Sequence, residues 1–150
     1  MPHFPPLSSD DDLKEIIKSA FDSDLPVDGS WGYTQASATK IEASDIPLPQ
    51  IEHIFASMRA YTEMNMTREP QDRYGSINLN ELSRETIEDS GHTYHKVTYE
   101  ITAMKESIYT KFIKEYKEEY GKTTFDLNAH FKRRKEATLH REVTHWFSLS

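Results

Sequence analysis

Two runs of alternating apolar and polar residues, separated by a short turn, constrain the fold of this chain more than any other feature. Residues 76–88 and 94–104 carry apolar side chains at about every second position, with a register change near Glu81. The intervening Asp89-Ser90-Gly91-His92 is typical of a turn, because glycine adopts positive φ without steric cost. Side chains that alternate with a period of two face opposite sides of a strand. The pattern therefore predicts an antiparallel hairpin.

Helical periodicity flanks this hairpin on both sides. Apolar residues spaced three and four apart predict amphipathic helices over 13–21, 107–120 and 127–135. Ser9 can cap the first helix, residues 139–147 alternate as a last strand, and residues 1–8 form an extended arm because three prolines fix φ. These elements predict an α+β fold. It contains a curved antiparallel sheet, made of a meander and the C-terminal strand, with about three helices packed on one face.

Residues 51–66 fit two interpretations. Ile51, Phe55 and Met58 suit one side of a helix, whereas the residues from Met58 to Met66 alternate as they would in a strand. We interpret the segment as one helical turn at 50–54 followed by a strand from about Phe55 to Met66. That strand would join the hairpin as the third strand of the meander.

Composition bounds the class of protein. The 150 residues contain no glycine- or serine-rich linker, which predicts one domain over 1–150. The absence of cysteine excludes disulfides, thiolate metal sites and cysteine nucleophiles. No apolar stretch approaches the length of a membrane span, and the first residues do not resemble a signal peptide. We therefore expect a cytoplasmic, acidic protein that does not enter membranes.

The chain lacks the common catalytic motifs. There is no glycine-rich phosphate loop, no GxSxG and no recognisable Ser/His/Asp arrangement. This absence favours a small binding or interaction protein over an enzyme, and it predicts no cofactor. The partner we expect is another protein or a second copy of the chain. The sequence does not identify the molecule that is bound.

The alternative is an enzyme or small-ligand-binding protein that uses a polar pocket on the concave face of the sheet. Carboxylates and histidines are then the candidates for acid–base chemistry, namely Glu63, Glu100, His140 and Glu142. Side chains that could bind a small polar ligand are Arg59, Tyr61, Tyr99 and Trp146. The adjacent Glu52 and His53 also have the residue types for proton transfer. Polar residues that alternate along a strand more often form the wet side of a half-buried sheet.

Histidine spacing gives only weak support for a metal site. His140 and Glu142 project from the same side of a strand and could share a metal ion, and His92 and His95 are three apart. No HxH, HExxH or HxxxH spacing accompanies them. We therefore expect no metal.

One basic run allows a third hypothesis, nucleic-acid binding. Residues 121–150 hold six basic and three acidic side chains in an otherwise acidic chain. The basic run is Lys132, Arg133, Arg134 and Lys135. Four consecutive residues spread around a helix, and cations are stabilising at a helix C-terminus without any ligand. Nucleic-acid binding is therefore not favoured.

Overall fold

The protein is built from a five-stranded sheet and four α-helices within residues 3–8 and 11–149, the part of the chain that this computed structural model describes. The elements follow one another as α1 (Leu13–Phe21), β1 (Val27–Gly29), β2 (Thr39–Ile41), α2 (Leu48–Tyr61), β3 (Tyr74–Asp89), β4 (His92–Lys105), α3 (Glu106–Glu119), α4 (Leu127–Ala137) and β5 (Leu139–Ser148). A π-helical turn, Thr62–Met66, continues α2, and a 3-10 turn, Pro70–Asp72, precedes β3. No helix in the described ranges is long and apolar enough to cross a membrane.

The hairpin predicted from the alternating runs is confirmed. β3 and β4 pair antiparallel around Ser90 and Gly91, which both have positive φ, and the register shifts between Glu81 and Ser83. β5 pairs antiparallel with β4. The sheet order is β1-β2-β5-β4-β3.

The prediction of a purely antiparallel sheet is wrong, because β2 pairs with β5 in parallel, with Thr39 opposite Phe147. These two strands are separated in the chain by α2, β3, β4, α3 and α4. Turn residues fix the relative direction of consecutive strands only. The sequence therefore held no signal for the direction of this pair.

The strand predicted from Phe55 to Met66 is also wrong, since the segment is helical throughout. The alternation counted only apolar residues, whereas the buried side of this helix includes charged ones. Glu52, Arg59 and Glu63 lie on the buried side together with Phe55 and Met64. The sheet therefore contains the hairpin and β5, and the meander lacks its predicted third strand.

The main core lies between the sheet and the first two helices. Leu13 and Ile17 of α1 and Phe55 of α2 pack against Val97 of β4 and Phe147 of β5. We call the side of the sheet towards α1 and α2 the inner face. Asp12 caps α1 by accepting a hydrogen bond from the Lys14 backbone. The predicted cap, Ser9, lies outside the described residues.

The second pair of helices has a different position, so the prediction of about three helices on one face needs correction. Tyr109 of α3 packs on Gly75 of β3. Thr102 and Arg134 line a small cleft of about 180 Å³ between the sheet and these helices. The α3–α4 pair therefore borders one end of the opposite, outer face. Its only fully buried side chain among the described residues is His130, which lies among aromatic rings.

Candidate functional site

The four residues proposed for acid–base chemistry do not converge. Glu63 lies on the inner face, where its side chain is 2% exposed. Glu100, His140 and Glu142 lie on the outer face, and their side chains are half-buried or exposed. His140 Nδ1 and Glu100 Oε1 are 3.8 Å apart at the protein surface. The sheet itself separates these three residues from Glu63.

The outer face is a continuous polar surface over three strands. Its side chains alternate with the buried ones, and none of them is buried: Asn78, Asn80, Ser83, Glu85, Tyr94, Lys96, Thr98, Glu100, Thr102, His140, Glu142, Thr144 and Trp146. Polar residues that alternate along strands usually form the wet side of a half-buried sheet. The structure places the polar strand residues on this wet side, and not around a concave pocket.

Charges on the outer face are arranged around two threonines. Thr98 and Thr144 are directly opposite each other on β4 and β5. Two residues away on the same face, Lys96 lies opposite Trp146, with its Nζ 5.3 Å from the centre of the indole ring. Two residues away in the other direction, the carboxylate side chains of Glu100 and Glu142 lie opposite each other.

This carboxylate pair is unfavourable within one copy of the chain. Side chains directly opposite each other on antiparallel strands are about 5 Å apart at Cβ, and like charges there are destabilising. The His140 ring, with Nδ1 3.8 Å from Glu100 Oε1, is the only basic side chain within ion-pair distance of Glu100 in the described residues, and Glu142 has no ion pair there. Lys96 lies against an indole ring and directly opposite Glu85 of β3, although the two side chains form no ion pair in the described residues. The outer face therefore carries charges of both signs at separate positions, and its Glu100–Glu142 pair forms no ion pair with a lysine or an arginine in the described residues.

Glu63 on the inner face has the opposite environment. Its Oε2 accepts a 2.5 Å hydrogen bond from the Tyr33 hydroxyl, and its Oε1 accepts a 3.0 Å hydrogen bond from Arg141 Nη1. Burial and the hydrogen bond to Glu63 raise the pKa of Tyr33 above its ordinary value, so the phenol keeps its proton. Both carboxylate oxygens are therefore occupied by donors from the chain.

Arg59, a predicted binding residue, is also satisfied internally. Its guanidinium lies 4.4 Å from the centre of the Tyr33 ring and donates to the backbone carbonyls of Trp31 and Thr144 at 3.2 and 2.9 Å. Burial lowers the pKa of Arg59, and the charge of Glu63 opposes that shift. A small polar ligand would have to displace contacts that the chain already makes.

A second buried carboxylate, Glu52, was assigned the wrong partner in the sequence analysis. Glu52 is fully buried, whereas the adjacent His53 is exposed. The Glu52 carboxylate instead contacts His95 Nδ1 of β4 at 2.8 Å and Arg84 Nη1 of β3 at 2.8 Å. The signal that sequence reasoning missed is the placement of Arg84 and His95 on the inner side of the hairpin.

The remaining predicted binding residues are dispersed. Tyr99 is buried in the core, where burial and the charge of Glu52 raise its pKa, and Tyr61 is 46% exposed against Phe21. A cleft of about 380 Å³ beside Tyr61 is lined mainly by apolar side chains. Neither this cleft nor one of about 240 Å³ beside Tyr33 includes Glu63 in its lining. No group of three or more acidic or histidine side chains in the described ranges could hold a metal ion.

The basic run is partly used within the α3–α4 pair. Arg133 makes two hydrogen bonds with Glu115, at 3.2 and 2.5 Å. The Arg134 guanidinium lies 5.5 Å from the centre of the Phe131 ring and 6.0 Å from that of Tyr109. Lys132 and Lys135 are exposed. Only these two lysines of the run are left without such contacts.

Comparison with other proteins adds nothing to the geometry. No protein-family model, curated protein or solved structure matches this chain.

Proposed function

We propose that this chain is an interaction protein without a catalytic role, and that its outer face binds a second copy of the same chain. The observation that carries the proposal is the like-charged pair Glu100 and Glu142 on one side of Thr98 and Thr144, with Lys96 on the other side, opposite Glu85. A surface with separated charges of both signs can be complementary to itself.

The symmetry of such a dimer follows from this charge pattern. In a two-fold interface, residue i of one copy contacts j of the other and j contacts i. A two-fold axis that crosses the strands at Thr98 and Thr144 reverses the strand direction in the second copy. It places Lys96 of each copy over Glu100 of the other and beside Glu142, and it places Trp146 of each copy over Glu142 of the other. An axis parallel to the strands would instead bring carboxylates together and is unfavourable.

Side-chain size on this face also favours close approach. The two central residues are threonines, which allow sheets to pack about 10 Å apart. Trp146 and Tyr94 lie at 6.5 Å between ring centres at one end of the face. Aromatic side chains are enriched in protein interfaces. They would contribute apolar contact area next to the exchanged ion pairs.

Charge reversal tests the proposal. Lys96→Glu and Glu100→Lys should each raise the dimer dissociation constant at least about tenfold, because each brings like charges together across the axis. The double variant Lys96→Glu/Glu100→Lys should return to within about threefold of the wild type, since the pair is re-formed with reversed signs. Sedimentation equilibrium at about 0.1 M salt measures all four proteins.

Two features make this experiment decisive. Within one copy, residues 96 and 100 are about 13 Å apart along the strand, so their mutual attraction is largely screened and cannot explain recovery. Lys114→Glu, on the exposed surface of α3, makes the same charge change as a control and should leave the dissociation constant unchanged. A wild-type protein that stays monomeric at about 1 mM, in the weak range of protein affinities, or a double variant as weak as the single ones, overturns the proposal.

A further inference from the structure

The arm formed by residues 3–8 occupies a groove of the protein as a bound peptide would. It has neither helix nor strand, and its sequence is His-Phe-Pro-Pro-Leu-Ser. Pro5 and Pro6 are exposed, whereas Phe4 and Leu7 are partly buried. Polyproline II structure has three residues per turn, so side chains three apart project from the same side. The burial pattern is that of an extended proline-rich segment held by two anchors.

Phe4 fits a socket made by cations and an aromatic ring. The Arg141 and Arg68 guanidiniums lie 4.3 and 5.0 Å from the centre of the Phe4 ring. Tyr74 makes an edge contact at 5.5 Å between ring centres. Arg68 Nη1 also donates to the His3 carbonyl at 3.4 Å. Both the side chain of the anchor and the backbone before it are recognised.

Leu7 is held through its backbone as well as its side chain. Its N–H donates to the Tyr33 hydroxyl at 2.9 Å, and its side chain packs against the main core. The Tyr33 proton goes to Glu63, so the phenol oxygen is free to accept the bond from Leu7. Grooves that bind proline-rich segments commonly combine aromatic side chains with such bonds to the backbone.

Part of the groove is held in place by contacts that do not involve the arm. Tyr33 and Arg141 are both fixed by Glu63, and Arg59 lies against the Tyr33 ring. These contacts join the loop before β2, the end of α2 and β5, and none of them involves residues 3–8. A preorganised groove can bind another segment of the same chemistry at a low entropic cost.

We propose that this groove is a recognition site for extended Phe-Pro-Pro-Leu segments of partner proteins, and that residues 3–8 are its internal competitor. The site is separate from the outer face, so this proposal does not depend on dimer formation. A tethered arm has an effective concentration in the millimolar range. It suppresses binding of a free peptide whose dissociation constant is of the order of 100 µM by about tenfold.

The test uses the full-length chain and a fluorescein-labelled peptide with the sequence His-Phe-Pro-Pro-Leu-Ser. The double variant Phe4→Ala/Leu7→Ala removes both anchors from the internal competitor while leaving the groove residues intact. Fluorescence polarisation should show at least about tenfold tighter peptide binding by this variant than by the wild type. A peptide with Ala in place of Phe should not bind. Ile108→Ala, an exposed apolar residue of α3, should bind the peptide as the wild type does.

Three results would overturn the proposal. The first is equal affinity of the wild type and the double variant, and the second is equal binding of the Phe and Ala peptides. The third is a lower mass of the double variant in light scattering, which would show that the arm is exchanged between copies. If the double variant does not unfold cooperatively in urea, Phe4→Ala alone replaces it; because this variant keeps the Leu7 anchor, a smaller gain in peptide affinity is expected, and no gain overturns the proposal.

Discussion

The two faces of the sheet use the same kinds of charged residue in different ways. On the inner face, Glu63 is 2% exposed, and both its oxygens accept hydrogen bonds from Tyr33 and Arg141. On the outer face, Glu100 and Glu142 lie opposite each other, and the only basic group close to them in the described residues is His140, 3.8 Å from Glu100. A buried charge without partners is very costly, whereas a hydrated one is tolerated. The difference indicates that the inner charges stabilise the fold, and it is the basis of the self-association proposed for the outer face.

Gly32, beside the inner face, should be the position least tolerant of a side chain. A Cβ there would be 2.4 Å from the His145 ring and 2.8 Å from the Trp146 carbonyl oxygen, at a φ of +85°. Gly32→Ala should lower the free energy of unfolding by roughly 4 kcal/mol, from steric overlap together with backbone strain. Urea unfolding measures the change.

A substitution at Gly91 measures the cost of backbone strain without steric overlap. It has a similar φ of +82°, but nothing lies within 4 Å of its Cβ position. Gly91→Ala should therefore cost only about 1 kcal/mol, from backbone strain alone. Equal effects of the two substitutions would show that packing against His145 does not constrain Gly32.

The same substitution on each face tests the comparison directly. Glu63→Gln leaves the Arg141 and Arg59 guanidiniums near a neutral amide, and Arg59 is buried. Breaking a buried ion pair by removing one partner should cost about 3 kcal/mol in the free energy of unfolding. Glu142→Gln, the matched change on the outer face, should cost nothing. Urea unfolding of both variants at neutral pH gives the result, and similar losses for the two would contradict the difference between the faces.

Local signals were sufficient for the parts of the fold where alternation continues across a turn. The hairpin, its bulge near Glu81 and the amphipathic helix α1 were all predicted from side-chain periodicity. α2 was missed because its buried side contains Glu52, Arg59 and Glu63, and periodicity analysis counts charged residues as exposed. Their burial depends on Arg84, His95 and Arg141, which are distant in sequence.

Glu100 and Glu142 were predicted as candidate site residues, but Lys96 and the arrangement of the three were not. Lys96, Glu100 and Glu142 are ordinary members of alternating strands. Their opposition follows from the register of β4 with β5, and 33 residues separate the end of β4 from the start of β5. The register of strands that are distant in sequence is set by core packing, and here by inner-face residues such as Tyr99 and His145. The groove of the arm likewise requires Tyr33, Arg68 and Arg141 from three separate segments.

His145 should make the stability of the inner face sensitive to pH. It is fully buried, and its Nε2 lies 3.0 Å from Thr39 Oγ1, which itself donates to the Ser30 carbonyl. The His145 Nε2–H therefore donates to Thr39, and the ring is neutral. Burial, with a smaller contribution from Arg59, lowers the pKa of His145 well below its ordinary value.

The direction of the pH dependence follows from the difference in proton binding between the folded and the unfolded chain. Below about pH 6.5 the unfolded chain binds a proton at residue 145 that the folded chain rejects. The stabilisation is complete above that pH and decreases as pH falls, by up to about 1.4 kcal/mol per pH unit. His145→Gln should reduce the slope of unfolding free energy against pH between 7 and 5 by that amount. His140→Gln, on the outer face, is the matched control, and equal slopes for the two variants would contradict the assignment.

The smallest expected effect is the most specific to the outer face. Glu142→Gln removes the like-charge opposition with Glu100 and should raise the free energy of unfolding of the monomer by about 0.5 kcal/mol at low salt. The gain should fall with added salt, because both side chains are in contact with water.

The same variant should bind its second copy more weakly, since it loses a carboxylate that faces Lys96. Unfolding measured at micromolar concentration and sedimentation at higher concentration separate the two effects. If both stability and self-association increase, the pair does not serve an interface. If stability rises and association falls, the acidic pair is kept at a cost to the monomer, which is the expected property of a binding surface.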